Sequence, residues 1–259
     1  MYADLLKQAY AAVKRGNPKA QVLGCSTAGI DHKFIKRTIE LGAPFDILTI
    51  HPYRATLSDR VFVADLAKAA DTARQPDGTP RPVWITEMGW TTCTPHNGPR
   101  QDFAATSPRD QARLLARAYI DAIASGFAPN ISWYDFRNDG TDPFNFEHNM
   151  GILLRDFRPK PAYRAYATMT RLLKGKRTEV GKAPDLGKDV LAYRFADADG
   201  RRPVFALWAE RAEQTVAIPA TRAATLTDLM GGVQTIEPKD GKVTITLAPG
   251  TPVFLSLDM

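Results

Sequence analysis

Over residues 1–175 the apolar positions follow two alternating rhythms, one at helical spacing and one in short unbroken runs. Leu5, Leu6, Ala9, Tyr10 and Val13 share one helical face, and Gly16-Asn17-Pro18 stops that helix. The next segment, 21–26, reads as a strand; a short helix then turns Phe34, Ile35, Thr38 and Ile39 inward and ends at Gly42. A second strand is predicted over 45–50, and Ser58 caps a helix carrying Val61, Phe62, Leu66, Ala69 and Ala73. The third strand spans 83–87. Ser107-Pro108 opens a helix with Leu114, Leu115, Ala118, Tyr119 and Ile123, Gly126 closes it, and 131–136 is the fourth strand. A last helix, roughly 160–174, buries Tyr163, Tyr166, Met169, Leu172 and Leu173. Short, nearly continuous apolar strands separated by helices mark a parallel sheet covered by helices.

Near residue 180 the rhythm shortens. Strands are expected at 190–196 and 203–209 around the hairpin turn Asp197-Ala-Asp-Gly200, then at 214–219, 224–230, 242–247 and 252–257. Gly231-Gly232, Asp240-Gly241 and Pro249-Gly250 punctuate them. The expected organisation is an α/β domain over 1–177 and a small antiparallel β-sandwich over 178–259.

Composition narrows the class without changing this picture. Hydrophobic residues make up 44% and charged residues 24% of 259, which excludes disordered, collagen-like and disulfide-stapled chains. No apolar run reaches the roughly 18 residues of a membrane helix, so no membrane partner is expected. Lys and Arg exceed Asp and Glu by 6, and the pI is near 9.3. The positive residues are scattered, with short clusters such as Lys174-Gly-Lys-Arg177, so a nucleic-acid track is not expected; a basic surface mildly favours an acidic substrate. Cys25 and Cys93 permit one bridge, which spacing alone cannot assign. Met1–Lys7 has no basic stretch followed by an apolar one, so no secretory signal is read there.

In barrels of parallel strands and helices, chemistry sits at the C-terminal strand ends. Those ends here are Cys25-Ser26-Thr27-Ala28, His51-Pro52-Tyr53, Glu87-Met88-Gly89-Trp90 and Trp133-Tyr134-Asp135-Phe136. Aromatic rings stack on sugar faces, and a strand-end carboxylate can attack an anomeric carbon.

The run Trp84-Ile-Thr-Glu87-Met-Gly-Trp90 resembles the seventh strand of clan A glycoside hydrolases, retaining (β/α)8-barrel enzymes in which that strand carries the nucleophilic Glu. His51-Pro52-Tyr53 is similar to the end of their sixth strand, and Ile131 through Gly140 to their eighth strand and its loop. Gly151-Ile-Leu-Leu and Arg158-Pro-Lys-Pro-Ala-Tyr163 match the entry to their last helix. The pattern is nearest to family 39 and related bacterial enzymes acting on exopolysaccharides or xylosides, and it covers the whole chain, since those relatives carry a C-terminal β-sandwich. The resemblance therefore implies a partial TIM barrel, strands five to eight, followed by that sandwich.

It also implies a mechanism. Retaining glycosidases use two carboxylates about 5–5.5 Å apart, one attacking the sugar and the other serving as acid and then base. Glu87 takes the nucleophile's position, with Tyr53 or His51 as hydrogen-bonding neighbours that favour its ionised form. Trp133 would floor the subsite of the reacting sugar, and Trp90 and Tyr134 would line flanking positions. No cofactor is implied. The family's acid/base Glu ends the fourth strand, usually as Asn-Glu, before a helix that looks like 2–14 here; no Asn-Glu pair occurs in the chain. The resemblance thus implies a piece of a longer glycosidase, lacking its acid/base, or a chain that pairs with a separate N-terminal half-barrel. A half barrel leaves a parallel strand edge open, which is costly. An exported parent would place the protein outside the cell or in the periplasm.

Each residue also has a plainer role. Glu87 can pair with an Arg, His51 can be a satisfied buried histidine, and Trp133 can be core. Asp135, Asp139 and Glu147 are solvated loop carboxylates unless one substitutes as an acid; His96 and Cys93 lie in the loop after Trp90. His32, Cys25, His51 and Cys93 lack metal-site spacing, so no metal is expected, and no Gly-rich phosphate loop is present. The readings to be separated are a glycosidase, a non-catalytic carbohydrate-binding remnant and a structural or interaction module.

Overall fold

The computed structural model describes residues 1–75, 77–94, 105–179 and 183–257. They form two compact units: the first holds described residues of 1–89 and 121–134, the second those of 90–94, 105–120 and 135–257. His96 lies outside the described residues.

The first unit is built on a parallel sheet in the order β1 (Leu23–Ala28), β2 (Ile47–His51), β3 (Val83–Met88) and β4 (Asn130–Trp133). Helices α1 (Tyr2–Gly16), α2 (His32–Glu40) and α3 (Asp59–Thr72) alternate with the first strands; α4 (Pro108–Ala124) starts in the second unit and ends in the first. In β2 four successive residues, Ile47, Leu48, Thr49 and Ile50, are no more than 2% exposed, so both sheet faces are covered. The strands approach closely where β1 begins: a Cβ on Gly24 would lie 2.7 Å from the Phe45 side chain, so only glycine fits there. Asp46 ties three elements together. It accepts from the Val22 amide at 2.7 Å, Lys14 Nζ at 2.9 Å and Tyr10 Oη at 3.1 Å. Burial works against its ionisation, but these donors outweigh it and hold the carboxyl below the usual range.

β4 stops at Trp133 rather than at Phe136. The chain turns out of the sheet there, the Tyr134 amide bonding Met88 O at 2.9 Å, while Asp135 and Phe136 carbonyls accept from Ile152 and Leu153.

In the second unit, the first part of α4 is capped as predicted: Ser107 Oγ accepts from the Asp110 amide at 3.1 Å. Helix α5 (Pro161–Leu173) starts with Pro at its first position. Two antiparallel sheets follow. One has six strands in the order β10-β9-β12-β7-β6-β5, and the other pairs β11 with β8. Their ranges are β5 (Arg177–Thr178), β6 (Val190–Ala196), β7 (Val204–Ala209), β8 (Gln214–Pro219), β9 (Ala224–Thr227), β10 (Val233–Ile236), β11 (Lys242–Leu247) and β12 (Val253–Leu257). Residues from both sheets, including Leu207, Val216, Ile218, Val243, Ile245, Leu247 and Leu255, share one apolar cluster.

Strand β9 is shorter than expected because Asp228 folds back on its own turn, its Oδ1 accepting from the amides of Met230 and Gly232, both at 2.8 Å. β5 and β10 carry no alternating apolar signal; β10 is an edge strand with three of its four residues exposed, so nothing selects for a pattern. Both cysteines are free and buried. Among the described residues no helix is long and apolar enough to cross a membrane.

Candidate active site

The C-terminal ends of β2 and β3 lie side by side, because Leu48, Thr49 and Ile50 pair in register with Val83, Trp84 and Ile85. Continuing both strands brings His51 next to Thr86, and their side chains meet at 3.0 Å through Nε2 and Oγ1. Two residues past His51, the Tyr53 hydroxyl donates to Glu87 Oε1 at 2.6 Å. His51 Nδ1 lies 3.7 Å from Glu87 Oε2, longer than a hydrogen bond. A tautomer protonated on Nδ1 would accept from the Thr86 hydroxyl at Nε2 and turn its N–H toward the carboxylate. Glu87 is 37% exposed and His51 25%. The carboxylate is thus gripped by Tyr53 on Oε1, and its side chain as a whole is partly exposed.

The register between β3 and β4 breaks between Ile85 and Met88, so Glu87 falls at an irregularity that re-aims side chains at a strand end. A similar break interrupts β1 between Cys25 and Thr27, where Cys25 and Ser26 take φ of +79° and +48°. Non-glycine residues rarely adopt that region. Ser26 is held there by Thr49, whose hydroxyl accepts from its amide at 3.0 Å and meets its Oγ at 2.7 Å.

Arg54 fixes the segment that carries Tyr53. Its guanidinium donates to Pro52 O at 3.2 Å and to Asp65 on α3 at 3.3 Å, and it lies 4.6 Å from the Phe62 ring centre. Neither Arg54 nor Thr86 stands out in the sequence. The only signal for Arg54 is its position directly after His51-Pro52-Tyr53.

Of the predicted site residues, the structure brings together Glu87, Tyr53 and His51. Trp133 pairs with Met88 across β3 and β4 and is half-buried, and Tyr134, also half-buried, is tied to Met88 through its backbone. Trp90, expected as a sugar-lining ring, is 1% exposed, with its carbonyl accepting from buried Gln111 Nε2 at 2.7 Å. A ring so enclosed presents no face for stacking.

The second unit holds a separate buried ionisable group. Burial, reinforced by the charge of hydrogen-bonded Asp139, pushes the Asp135 carboxyl up to about 7. Lys160, 4% exposed, is pushed down to about 8 by burial, against the pull of Asp135. Its ammonium donates to Asn149 O at 3.0 Å and Asn138 Oδ1 at 3.4 Å. Asp139 and Glu147 are exposed. Among the described residues no group of three or more His, Cys, Asp and Glu side chains could hold a metal ion.

No protein-family profile matches the chain, and no curated protein matches it by sequence. Solved structures do. A family 39 glycoside hydrolase from Bacteroides cellulosilyticus is 27% identical with a TM-score of 0.80, the match covering 99% of this chain and 55% of that one. A family 30 endoxylanase from Clostridium papyrosolvens is 11% identical, TM-score 0.59, covering 100% of this chain and 60% of that one. A family 51 arabinofuranosidase from Xanthomonas axonopodis is 12% identical, TM-score 0.64, covering 100% and 63%. The chain therefore has the fold of a region of glycoside hydrolases, and spans little more than half the length of the structures it matches.

Proposed function

We propose that this chain is the nucleophile-bearing part of a retaining glycoside hydrolase of clan A, with a family 39-like organisation. In this reading, residues 1–177 are strands five to eight of a TIM barrel with their helices, and residues 178–259 are a β-sandwich accessory domain. The parallel order β1-β2-β3-β4 and the change to antiparallel sheets favour that division, and the likeness to the family 39 enzyme favours the family.

The observation that carries the reading is the 2.6 Å hydrogen bond from Tyr53 to Glu87 at the ends of neighbouring parallel strands. A hydroxyl donated to a carboxylate stabilises the ionised form an attack requires. Because Tyr53 occupies Oε1, Oε2 is the attacking oxygen. It forms the bond to the anomeric carbon as the glycosidic bond breaks, and the leaving oxygen departs with the electron pair. An acid protonates that oxygen and then, as a base, activates the water that releases the sugar. We assign this acid/base to a segment outside these 259 residues, in a partner half-barrel or a longer parent. Trp133 and Tyr134 are the proposed sugar contacts, and the substrate is an oligo- or polysaccharide.

An activated 2-deoxy-2-fluoro glycoside needs no acid to leave, so it tests the chain as it stands. Incubation with a panel of such dinitrophenyl glycosides, followed by peptide mass analysis, should find the sugar esterified to Glu87 and no adduct in Glu87→Gln. Adducts elsewhere, or on both proteins alike, would refute the assignment. Binding of sugars without any adduct would favour the carbohydrate-binding remnant.

A further inference from the structure

We propose a second binding site, a cleft for a carboxylate-bearing saccharide, lying wholly within the second unit. It is formed by the starts of α4 and α5, the turn after β9 and Thr251, and has a volume of about 530 Å³, within the range of small-molecule sites. Arg109 and Arg113 are one helical turn apart on α4 and so project on one side, and Arg164 faces the cleft from α5. Arg113 is paired with Asp110 at 3.1 Å. Arg109 and Arg164 are exposed and have no ion-pair partner among the described residues.

One acidic residue, Asp228, lines the same cleft, but its Oδ1 is turned onto its own loop, receiving the Met230 and Gly232 amides at 2.8 Å. The remaining charge is positive and sits beside the positive ends of helices of 17 and 13 residues, which attract anions. Guanidinium forks match a carboxylate in two parallel hydrogen bonds.

The rest of the lining is not what a bare anion needs. Pro161, Leu229 and Met230 supply apolar surface, and Met230 is 42% exposed although it is a large hydrophobic residue. A sugar ring has apolar C–H faces, and a uronate adds a carboxylate at its edge. Arginines spaced along a partly apolar trough suit that combination better than they suit a lone phosphate. The saccharide class rests on the glycosidase reading; the anion preference stands on the cleft itself.

Calorimetric titration of the full chain tests this, using a galacturonate oligomer, a galactose oligomer of the same length, and inorganic phosphate. The galacturonate oligomer should bind at least tenfold tighter than either other probe, and its affinity should fall as salt is raised. The double variant Arg109→Gln/Arg164→Gln should lose at least tenfold, with an unchanged melting curve. Arg109→Lys/Arg164→Lys, which keeps charge but not the forks, should fall between. Equal affinity for the neutral oligomer, phosphate binding as tight as the oligomer's, or an unaffected double variant would each overturn the proposal. Glu87→Gln should abolish covalent labelling yet leave this binding intact, so failure of the cleft and failure of the nucleophile assignment are read separately.

Discussion

Strand β2 of the parallel sheet buries Ile47, Leu48, Thr49 and Ile50 in succession, whereas β11 of the small antiparallel sheet buries Val243, Ile245 and Leu247 and exposes Lys242, Thr244 and Thr246. A strand covered on both faces has no solvent side on which to place polar groups. Its threonine must be satisfied internally, and Thr49 is, donating to Gly24 O at 3.1 Å and receiving the Ser26 amide. Its remaining polar residue, His51, stands at the strand end, where it meets Thr86 and Glu87 of β3. In β11 polar residues alternate with core residues and none is needed elsewhere. The parallel sheet therefore concentrates chemistry at one rim, and the antiparallel pair spreads it over a solvated face.

Four variants probe this contrast. Leu255→Ala empties a fully buried position of the antiparallel core and should cost about 2–5 kcal/mol in urea unfolding; a much smaller loss would mean that this core contributes little. Tyr53→Phe removes a hydrogen bond to a charged group, worth about 1.5–3 kcal/mol, and should slow covalent labelling of Glu87 roughly ten- to hundredfold; labelling at the parent's rate would refute the role given to Tyr53. The same substitution made in both sheets separates them directly. Thr49→Val should cost about 1–3 kcal/mol by orphaning buried partners, and Thr244→Val should stay within about 0.5 kcal/mol; equal effects would erase the distinction.

The remaining test is a pH slope. Asp135 has its folded pKa raised to about 7, so the folded state keeps a proton that the unfolded state has already released. Its contribution is fully present below the unfolded pKa of about 4 and is lost as pH rises toward 7. Asp135→Asn should match the parent's melting temperature near pH 4 and flatten the parent's decline between pH 4 and 7. An unchanged slope would show that Asp135 does not titrate in that window.

Much of this was legible beforehand. Strands 190–196, 214–219 and 242–247 appear as predicted, because alternation survives wherever one face is buried. The Ser107-Pro108 helix start is equally local. The enclosure of Trp90 is not legible in the sequence, because a tryptophan beside a strand-end Glu looks the same there whether it faces a sugar or lies in a core. Thr86 and Arg54 are silent in the sequence for a related reason: a threonine in a strand and an arginine in a loop are ordinary until a partner is found, and theirs, His51 and Asp65, lie 35 and 11 residues away along the chain.

The sequence by itself determined the two rhythms, the strand ends on which polar and aromatic groups gather, and Glu87 as the carboxylate to watch, since periodicity and short motifs are properties of neighbouring residues. Tertiary structure alone decided that Tyr53 grips that carboxylate, that Trp90 is enclosed, and that Arg109 and Arg164 share one cleft. Those facts depend on strand register and on how helices meet loops, and each joins residues whose separation along the chain carries no information about their distance in space.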